Sequence, residues 1–356
     1  MSNIYENTTD FETYISKLRN EKTLIVCGGK SARTASIANA IASLKSNLDD
    51  VVVYSIKETL PYISAIPKVT ENTQIIAIGG GKVMDIAKLA SVNLSQEVLQ
   101  KKLQDGDYAI PRTSDLCCIP TTCGSGSEAT SFAVCYMDDQ KYSISHPSLQ
   151  PDIVVLDVGV LTSQTNRQTK IGALDAVCQA IESMFSRQAN EQSIEYSRKS
   201  LKLSLGALSR IGQREITFDE YHQLQIAAHL AGKAINITKT NLPHALSYYL
   251  TLHHKVPHGL AVAFFFEAYL QFLQNASDRL PLKQREHLEF VCGCLCNQSD
   301  YILGYWRKFL DTLGMVKQMS ELQSNVNNQE LKDSVNIERL KNFVIEPDLD
   351  FIISSS

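Results

Sequence analysis

Gln74-Ile-Ile-Ala-Ile78-Gly79-Gly80-Gly81-Lys82-Val83-Met84-Asp85-Ile86-Ala87-Lys88 is a short apolar run that ends in three glycines and continues into a helix-forming stretch. The apolar run reads as a strand buried on both faces. Glycines directly after such a strand let the backbone pass close to a phosphate, and the helix that follows turns its free N–H groups toward the anion. A plain strand-to-helix turn needs one glycine and rarely three, so pyrophosphate binding at Gly79, Gly80 and Gly81 is the favoured reading. The spacing is not Gly-x-Gly-x-x-Gly, and the usual dinucleotide fingerprint does not transfer.

Outward from this unit the pattern repeats. Residues 23–27, 51–55, 116–119 and 153–156 are further apolar runs with turn residues nearby, and a helical stretch at 31–44 separates the first two. Strands alternating with helices predict a parallel sheet of βαβ units. A hairpin is expected over 133–145, turning at Asp138-Asp139, and a polar helical lead-in over the first twenty residues. After strand 116–119 comes Pro120-Thr121-Thr122-Cys123-Gly124-Ser125-Gly126-Ser127-Glu128. Its hydroxyls, chiefly Thr121, Thr122 and Ser125, suit a cofactor's ribose, phosphate or amide, and beside the triple glycine they make a second wall of one pocket. An ordinary Ser/Thr turn is the plainer alternative. From residue 168 the texture is helical, at 173–186, 193–209, 218–235 and 259–273. The expected architecture is an α/β Rossmann-like domain over 1–158 and an all-α domain over 159–356.

The chain has 356 residues, 44% of them hydrophobic and 20% charged, with a formal net charge of -4. That composition fits a soluble globular protein with a real core, and the acidic balance argues against nucleic acid or an anionic membrane as partner. No signal peptide and no membrane-length apolar run are visible, and nine cysteines, an odd count, read as reduced thiols of a cytoplasmic protein. Cys292-x-Cys294-x-Cys296 lies in an apolar helical stretch and reads as buried thiols rather than a metal site.

The second half carries the chemistry. Asp175 and Gln179 are four apart in the helix-forming Gly172-Ala-Leu-Asp175-Ala-Val-Cys-Gln179-Ala-Ile-Glu182, so both leave one helix face. His244 and His258, fourteen residues apart with a proline between them, sit on separate elements that can converge on that face. One carboxylate, one amide oxygen and two imidazoles make a mixed oxygen/nitrogen site for a divalent metal, either Fe²⁺ or Zn²⁺.

These motifs, in this order, resemble the iron-containing (group III) alcohol dehydrogenase family over residues 24–266. Gly79-Gly-Gly-x-x-x-Asp85-x-x-Lys88 is similar to its cofactor motif and Pro120-Thr-Thr-x-Gly124-x-x-x-Glu128 to its second nucleotide loop; Lys141 is counted with the cofactor contacts. Asp175, Gln179, His244 and His258 stand at its four metal-ligand places. The resemblance implies the dehydroquinate synthase-like two-domain fold, an NAD(P)-linked oxidoreductase of a small-molecule alcohol or aldehyde, and a homodimer. Hydride would pass between nicotinamide C4 and a carbonyl carbon with Lewis-acid help, and His254, more than His253, would relay a proton. Two departures stand out: Lys82 where the family usually has serine, and Gln179 where it usually has a histidine ligand. NAD-preferring members carry an acidic residue after the first strand; here Cys27-Gly28-Gly29-Lys30-Ser31 brings room, N–H groups and positive charge, which favours NADP(H) over NAD(H).

For the substrate, Lys239 and Thr240 directly precede the metal-ligand stretch, where they could hold an anionic tail; a solvated lysine at a helix end is the alternative of equal weight. With Gln179 and Glu338-Arg339-x-x-Asn342, this stretch resembles the phosphonoacetaldehyde reductase (hydroxyethylphosphonate dehydrogenase) branch. That branch implies reduction of phosphonoacetaldehyde, with Lys239 and Arg339 on the phosphonate. Competing readings are a general reductase of uncharged aldehydes, a lyase on the dehydroquinate synthase scaffold, and a non-catalytic nucleotide-binding homologue.

Overall fold

The computed structural model describes residues 3–5, 14, 22–29, 31–58, 60–105, 111–137, 140–162, 164–212, 214–295, 302–315, 327–335 and 337–356. The chain forms two compact units, Met1–Thr165 and Asn166–Ser356. The division falls later than the expected 158/159, because a short helix, Val158–Leu161, packs its buried Val160 into the first unit's core.

In the first unit, β1 (Asn3–Tyr5), β2 (Thr23–Gly28), β3 (Val51–Ile56), β4 (Gln74–Gly79), β5 (Leu116–Pro120) and β8 (Ile153–Val155) form one sheet in the order β1-β8-β5-β4-β2-β3. Every pairing in it is parallel. The apolar runs explain this directly. Along β2 and β4, Ile25, Ile76 and Ile78 face a core shared with Ile37 and Leu44 of helix α1 (Ala35–Asn47). Their neighbours Leu24, Val26, Ile75 and Ala77 face the opposite core, filled by Val83, Met84, Ile86 and Ala87 of helix α2 (Gly81–Ala90). Alternate residues point to opposite faces and both faces are covered, so no polar position is left. β6 (Phe132–Met137) and β7 (Gln140–Ser145) form the expected antiparallel hairpin; its expected turn residues, Asp138 and Asp139, lie outside the described residues, as does most of the expected lead-in helix. The edge strand β1 was not expected from the sequence.

Strand order reverses between β2 and β4: the chain runs from β2 outward to β3, then returns to β4 on the other side of β2. Ligands of open parallel sheets bind outside the carboxyl ends of the strands at such a switch point. The ends of β2, β4 and β5 are in register there, with Cys27 opposite Ile78 and Gly79 opposite Pro120. All three candidate nucleotide loops therefore leave the sheet on one edge.

The second unit is helical. Numbering on from α3 (Gln96–Asp105) and α4 (Val158–Leu161), it contains α5 (Asn166–Met184), α6 (Glu191–Ile211), α7 (Phe218–Thr238), α8 (Leu242–His253), α9 (His258–Phe264) and α10 (Phe266–Asn275), followed by shorter helices. The helix expected at 259–273 is thus two, interrupted at Phe265, whose amide turns to Val262 O in a tighter bond. Almost every residue of α5 from Thr169 onward is buried, which marks it as the central helix of the bundle. α6 lays Ser193, Ser197, Ser200 and Ser204, all fully buried, against its neighbours, and Ser200 Oγ donates to Ala227 O of α7 at 2.8 Å. No helix among the described residues is long and apolar enough to cross a membrane.

Candidate metal centre and nucleotide loops

Asp175, Gln179 and Glu182 are spaced four and three apart on α5, so their side chains leave one face. Each is buried, at 4%, 3% and 0% exposure. His244 lies in the first turn of α8, and His258 opens α9. Gly259 makes this convergence possible: a Cβ there would stand 2.1 Å from Ile171 O and 3.1 Å from Asp175 Cβ. Only glycine lets α9 press so closely against α5, and that approach carries His258 to Asp175.

His244 Nε2 is 3.2 Å from Asp175 Oδ1, and His258 Nε2 is 4.0 Å from the same oxygen. One ligand atom from each of the three residues lies within 4.8 Å of the others. A tetrahedral divalent ion with bonds near 2.1 Å needs donor atoms about 3.4 Å apart. The donor set, one carboxylate and two imidazoles, fits such an ion with small side-chain adjustments. Gln179 stands one turn beyond Asp175 on the same buried face.

The residue that sequence reasoning passed over is Glu182. His244 Nδ1 donates to Glu182 Oε2, and Glu182 Oε1 accepts the N–H groups of Asn241 at 3.1 Å and His244 at 3.3 Å. A carboxylate behind a ligating imidazole fixes its tautomer and raises its basicity. Burial lowers the His244 pKa, but Glu182 and Asp175 outweigh burial and lift it to about 9. The signal was present, since Glu182 continues the spacing of Asp175 and Gln179. Tyr248, one turn after His244, is the other omission: its ring lies nearly parallel to that of His258, 14° apart with centroids at 6.4 Å.

His254 is not beside this centre. It caps the C-terminus of α8, ten residues and about 15 Å along the helix axis from His244. Its ring packs 5.3 Å from that of Tyr249, whose hydroxyl donates to Glu330. Adjacency in sequence to two metal-ligand candidates misled here, because the helix carries its two ends apart. His253 is exposed at the same end.

Of the substrate candidates, Arg339 and Thr240 come together. The Arg339 guanidinium donates to Thr240 Oγ1 and lies 5.7 Å over the Tyr248 ring. Lys239 is exposed, and its backbone (φ 57, ψ 175) occupies a region otherwise nearly reserved for glycine. Its side chain, after the buried Thr238, is solvated at the end of α7.

In the first unit Gly79, Gly80 and Gly81 connect β4 to α2 as expected. A Cβ on Gly80 would stand 2.9 Å from Thr122 Cγ2, and one on Gly81 2.8 Å from Ser125 Oγ. The two predicted loops are thus pressed together, and part of the demand for glycine is this contact. A glycine N-cap also offers no side-chain acceptor to the first-turn N–H groups of α2, an arrangement suited to an external anion. Thr121 N donates to Gly79 O at 2.9 Å. The Lys82 ammonium donates to Glu58 O, tying the start of α2 to the loop after β3.

Asp85 takes a different role from the one expected. Its half-buried carboxylate accepts from Ser127 Oγ at 2.8 Å and Val134 N at 3.1 Å. Burial raises its pKa, opposed by Lys88 and those two bonds. Lys88, fully buried, donates to Ser127 O, Thr130 Oγ1 and Phe132 O. The pair fastens the second loop to α2, and a carboxylate facing phosphates would in any case repel them. Lys141 on β7 lies near enough to favour the ionised Asp85. Gly28 ends β2, and Gly29 donates its N–H to Ile56 O at 2.9 Å. Lys30 and the Ser31 side chain lie outside the described residues, as does Cys296. The described cysteines are free thiols, seven buried and Cys294 partly so, and burial pushes those of Cys117, Cys123 and Cys135 up to about 12.

The iron-containing alcohol dehydrogenase profile matches residues 5–158, and the profile of the Fe-containing alcohol dehydrogenase C-terminal region matches residues 169–341. The chain belongs to the iron-containing alcohol dehydrogenase family. Within the family it is 33% identical over 195 residues to a phosphonoacetaldehyde reductase of Streptomyces viridochromogenes, covering 52% of this chain and 49% of that protein. It is 29% identical over 232 residues to a 4-hydroxybutyrate dehydrogenase of Clostridium kluyveri, covering 64% and 62%. The matched part is thus less than two thirds of either relative. The fold is shared with a sulfoacetaldehyde reductase from Bifidobacterium kashiwanohense, solved with NAD⁺, at a TM-score of 0.85, 19% identity and coverage of 99% and 96%. An iron-containing alcohol dehydrogenase from Thermotoga maritima matches at a TM-score of 0.78, 20% identity and coverage of 99% and 96%.

Proposed function

We propose that this family member is a metal-dependent, nicotinamide-linked reductase of a short aldehyde that carries an anionic group, with phosphonoacetaldehyde reduced to 2-hydroxyethylphosphonate as the favoured case. The observation that carries the reading is the convergence of Asp175, His244 and His258 within 4.8 Å. Those residues, with Gln179, would hold the ion, and a divalent cation when bound supplies Lewis acidity toward a carbonyl oxygen. Glu182 holds the His244 imidazole so that Nε2 faces Asp175. A reduced nicotinamide, when bound, would supply the hydride that the aldehyde carbon takes up, and the oxygen would take a proton, ultimately from solvent.

Arg339 supports the anionic substrate. A guanidinium over an aromatic ring that itself stacks on His258 places a fixed positive charge near the centre, and a planar fork suits a phosphonate better than a point charge does. The phosphonoacetaldehyde reductase and the 4-hydroxybutyrate dehydrogenase both bear names of compounds with an acid group. The glycine-lined loops at the switch point support the nicotinamide cofactor. NADP(H) is favoured over NAD(H), because Gly28 and Gly29 bring no carboxylate to repel a 2′-phosphate.

The test is oxidation of NADPH and of NADH by the purified protein with phosphonoacetaldehyde and, separately, with butyraldehyde. Turnover should be faster with the phosphonate and with NADPH. Equal turnover of butyraldehyde would favour a general reductase, a 1-propanol dehydrogenase being another relative, at 26% identity. No turnover of either would favour a non-catalytic homologue.

A further inference from the structure

Thr238 ends α7, and the turn Lys239-Thr240-Asn241 leads into α8 and so to His244. The carbonyls that flank the unfavourable backbone at Lys239 are bridged by one side chain. The Asn342 amide donates to Thr238 O at 2.7 Å and to Thr240 O at 3.1 Å, the carbonyls on either side of Lys239. Asn342 is buried, at 8% exposure. Both carbonyls can only accept, which fixes the amide's NH₂ end toward the turn, and the Ser186 hydroxyl lies 2.8 Å from Asn342 Oδ1 and 3.0 Å from Thr238 O. From the opposite side, Glu182 takes the N–H groups of Asn241 and His244. The turn is therefore clamped between α5 and the C-terminal segment. Arg339, three residues before Asn342, grips the Thr240 hydroxyl of the same turn.

We propose that Asn342 is a positioning residue, which holds the turn at Lys239 so that His244 stands against Asp175 and Thr240 meets Arg339. The inference rests on the metal-centre reading above. The Asn342 side chain bonds to Ser186 and to the Thr238 and Thr240 carbonyls; it acts on the metal-ligand candidates through a backbone that would otherwise relax. A residue that merely filled space could not be compensated by removing the side chain at Lys239, whereas a clamp on a glycine-like conformation can.

The experiment is a titration of the metal-free, full-length protein with Co²⁺, read by its visible absorption, for Asn342→Ala, Asn342→Asp, Lys239→Gly and the double variant Lys239→Gly/Asn342→Ala. Asn342→Ala and Asn342→Asp should weaken Co²⁺ binding by about tenfold or more, as loss of an outer-shell partner does. Lys239→Gly alone should stay within about twofold of the unaltered protein, and in the double variant it should recover most of the loss, since glycine accepts that backbone freely. Should Asn342→Ala not fold, Asn342→Asp, which keeps the shape and loses the donors, is read in its place. Folded Asn342 variants that bind Co²⁺ as the unaltered protein does would overturn the proposal. So would failure of Lys239→Gly to restore either folding or binding. An unaltered protein with no Co²⁺ band would sink the metal centre and this inference together, while a band indifferent to Asn342 sinks this inference alone.

Discussion

Loading the Asp175–His244–His258 centre should depend steeply on pH, because the ion must displace a proton from His244. Burial alone would leave that imidazole neutral at pH 7. Glu182 on Nδ1 and Asp175 beside Nε2 reverse this and lift its pKa to about 9, against about 6.5 for a free histidine. Near pH 7 almost every metal-free molecule therefore carries the imidazolium, and a group about two units from its pKa costs on the order of 3 kcal/mol to deprotonate. Apparent affinity for Zn²⁺ should rise about tenfold per pH unit from 7 toward 9 and then level off. The sign for the metal-free protein is opposite. A raised histidine pKa contributes stability that is complete below about pH 6.5 and is lost as pH climbs through about 9, on the order of 3 kcal/mol in all. Calorimetric titration with Zn²⁺ in two buffers of different ionisation heat, at pH 7 and 8.5, measures both the affinity and the protons released. About one proton per ion is expected at pH 7. An affinity that changes less than about threefold across that range, with no proton released, would refute the reasoning.

Glu182→Gln should weaken metal binding by about 10- to 100-fold and flatten that pH dependence, since the carboxylate behind His244 is gone; equilibrium dialysis against Zn²⁺ at several pH values checks both. Arg339→Ala should raise KM for phosphonoacetaldehyde by about tenfold or more, the worth of a charged hydrogen bond, and leave butyraldehyde kinetics nearly unchanged, while Lys239→Ala moves KM for the phosphonate by less than about twofold. Gly259→Ala forces a Cβ against Ile171 O and should destabilise the second unit by about 1–3 kcal/mol or more, seen as a lowered Tm and a loss of metal binding together.

The sheet was legible because its central strands are buried on both faces. Leu24 through Cys27, Ile75 through Ile78 and Leu116 through Ile119 have no exposed position, so each run had to be apolar throughout and could not be mistaken for a surface strand. The ligand face of α5 was legible for a related reason, since helical spacing alone puts Asp175 and Gln179 together. What escaped depends on contacts distant in sequence. Ser186 and Asn342 are 156 residues apart, and nothing local to either announces that they meet. Asp85 was counted with the cofactor contacts because it falls in the family's glycine motif, yet the partners of Asp85 and Lys88, namely Ser127, Thr130 and the backbone at Phe132 and Val134, come from some forty residues on. Among the described residues the short β1 pairs with β8 alone, and three residues are too few to show a pattern.

Crystals of the protein grown with Zn²⁺ or, anaerobically, with Fe²⁺, measured on either side of the metal's absorption edge, would show directly where the ion sits. One anomalous peak is expected in the second unit, bonded to Asp175 Oδ1, His244 Nε2 and His258 Nε2 at about 2.0–2.2 Å. Fully loaded crystals with no peak among those three atoms, or with the ion held by other residues, would contradict a metal-assisted reductase.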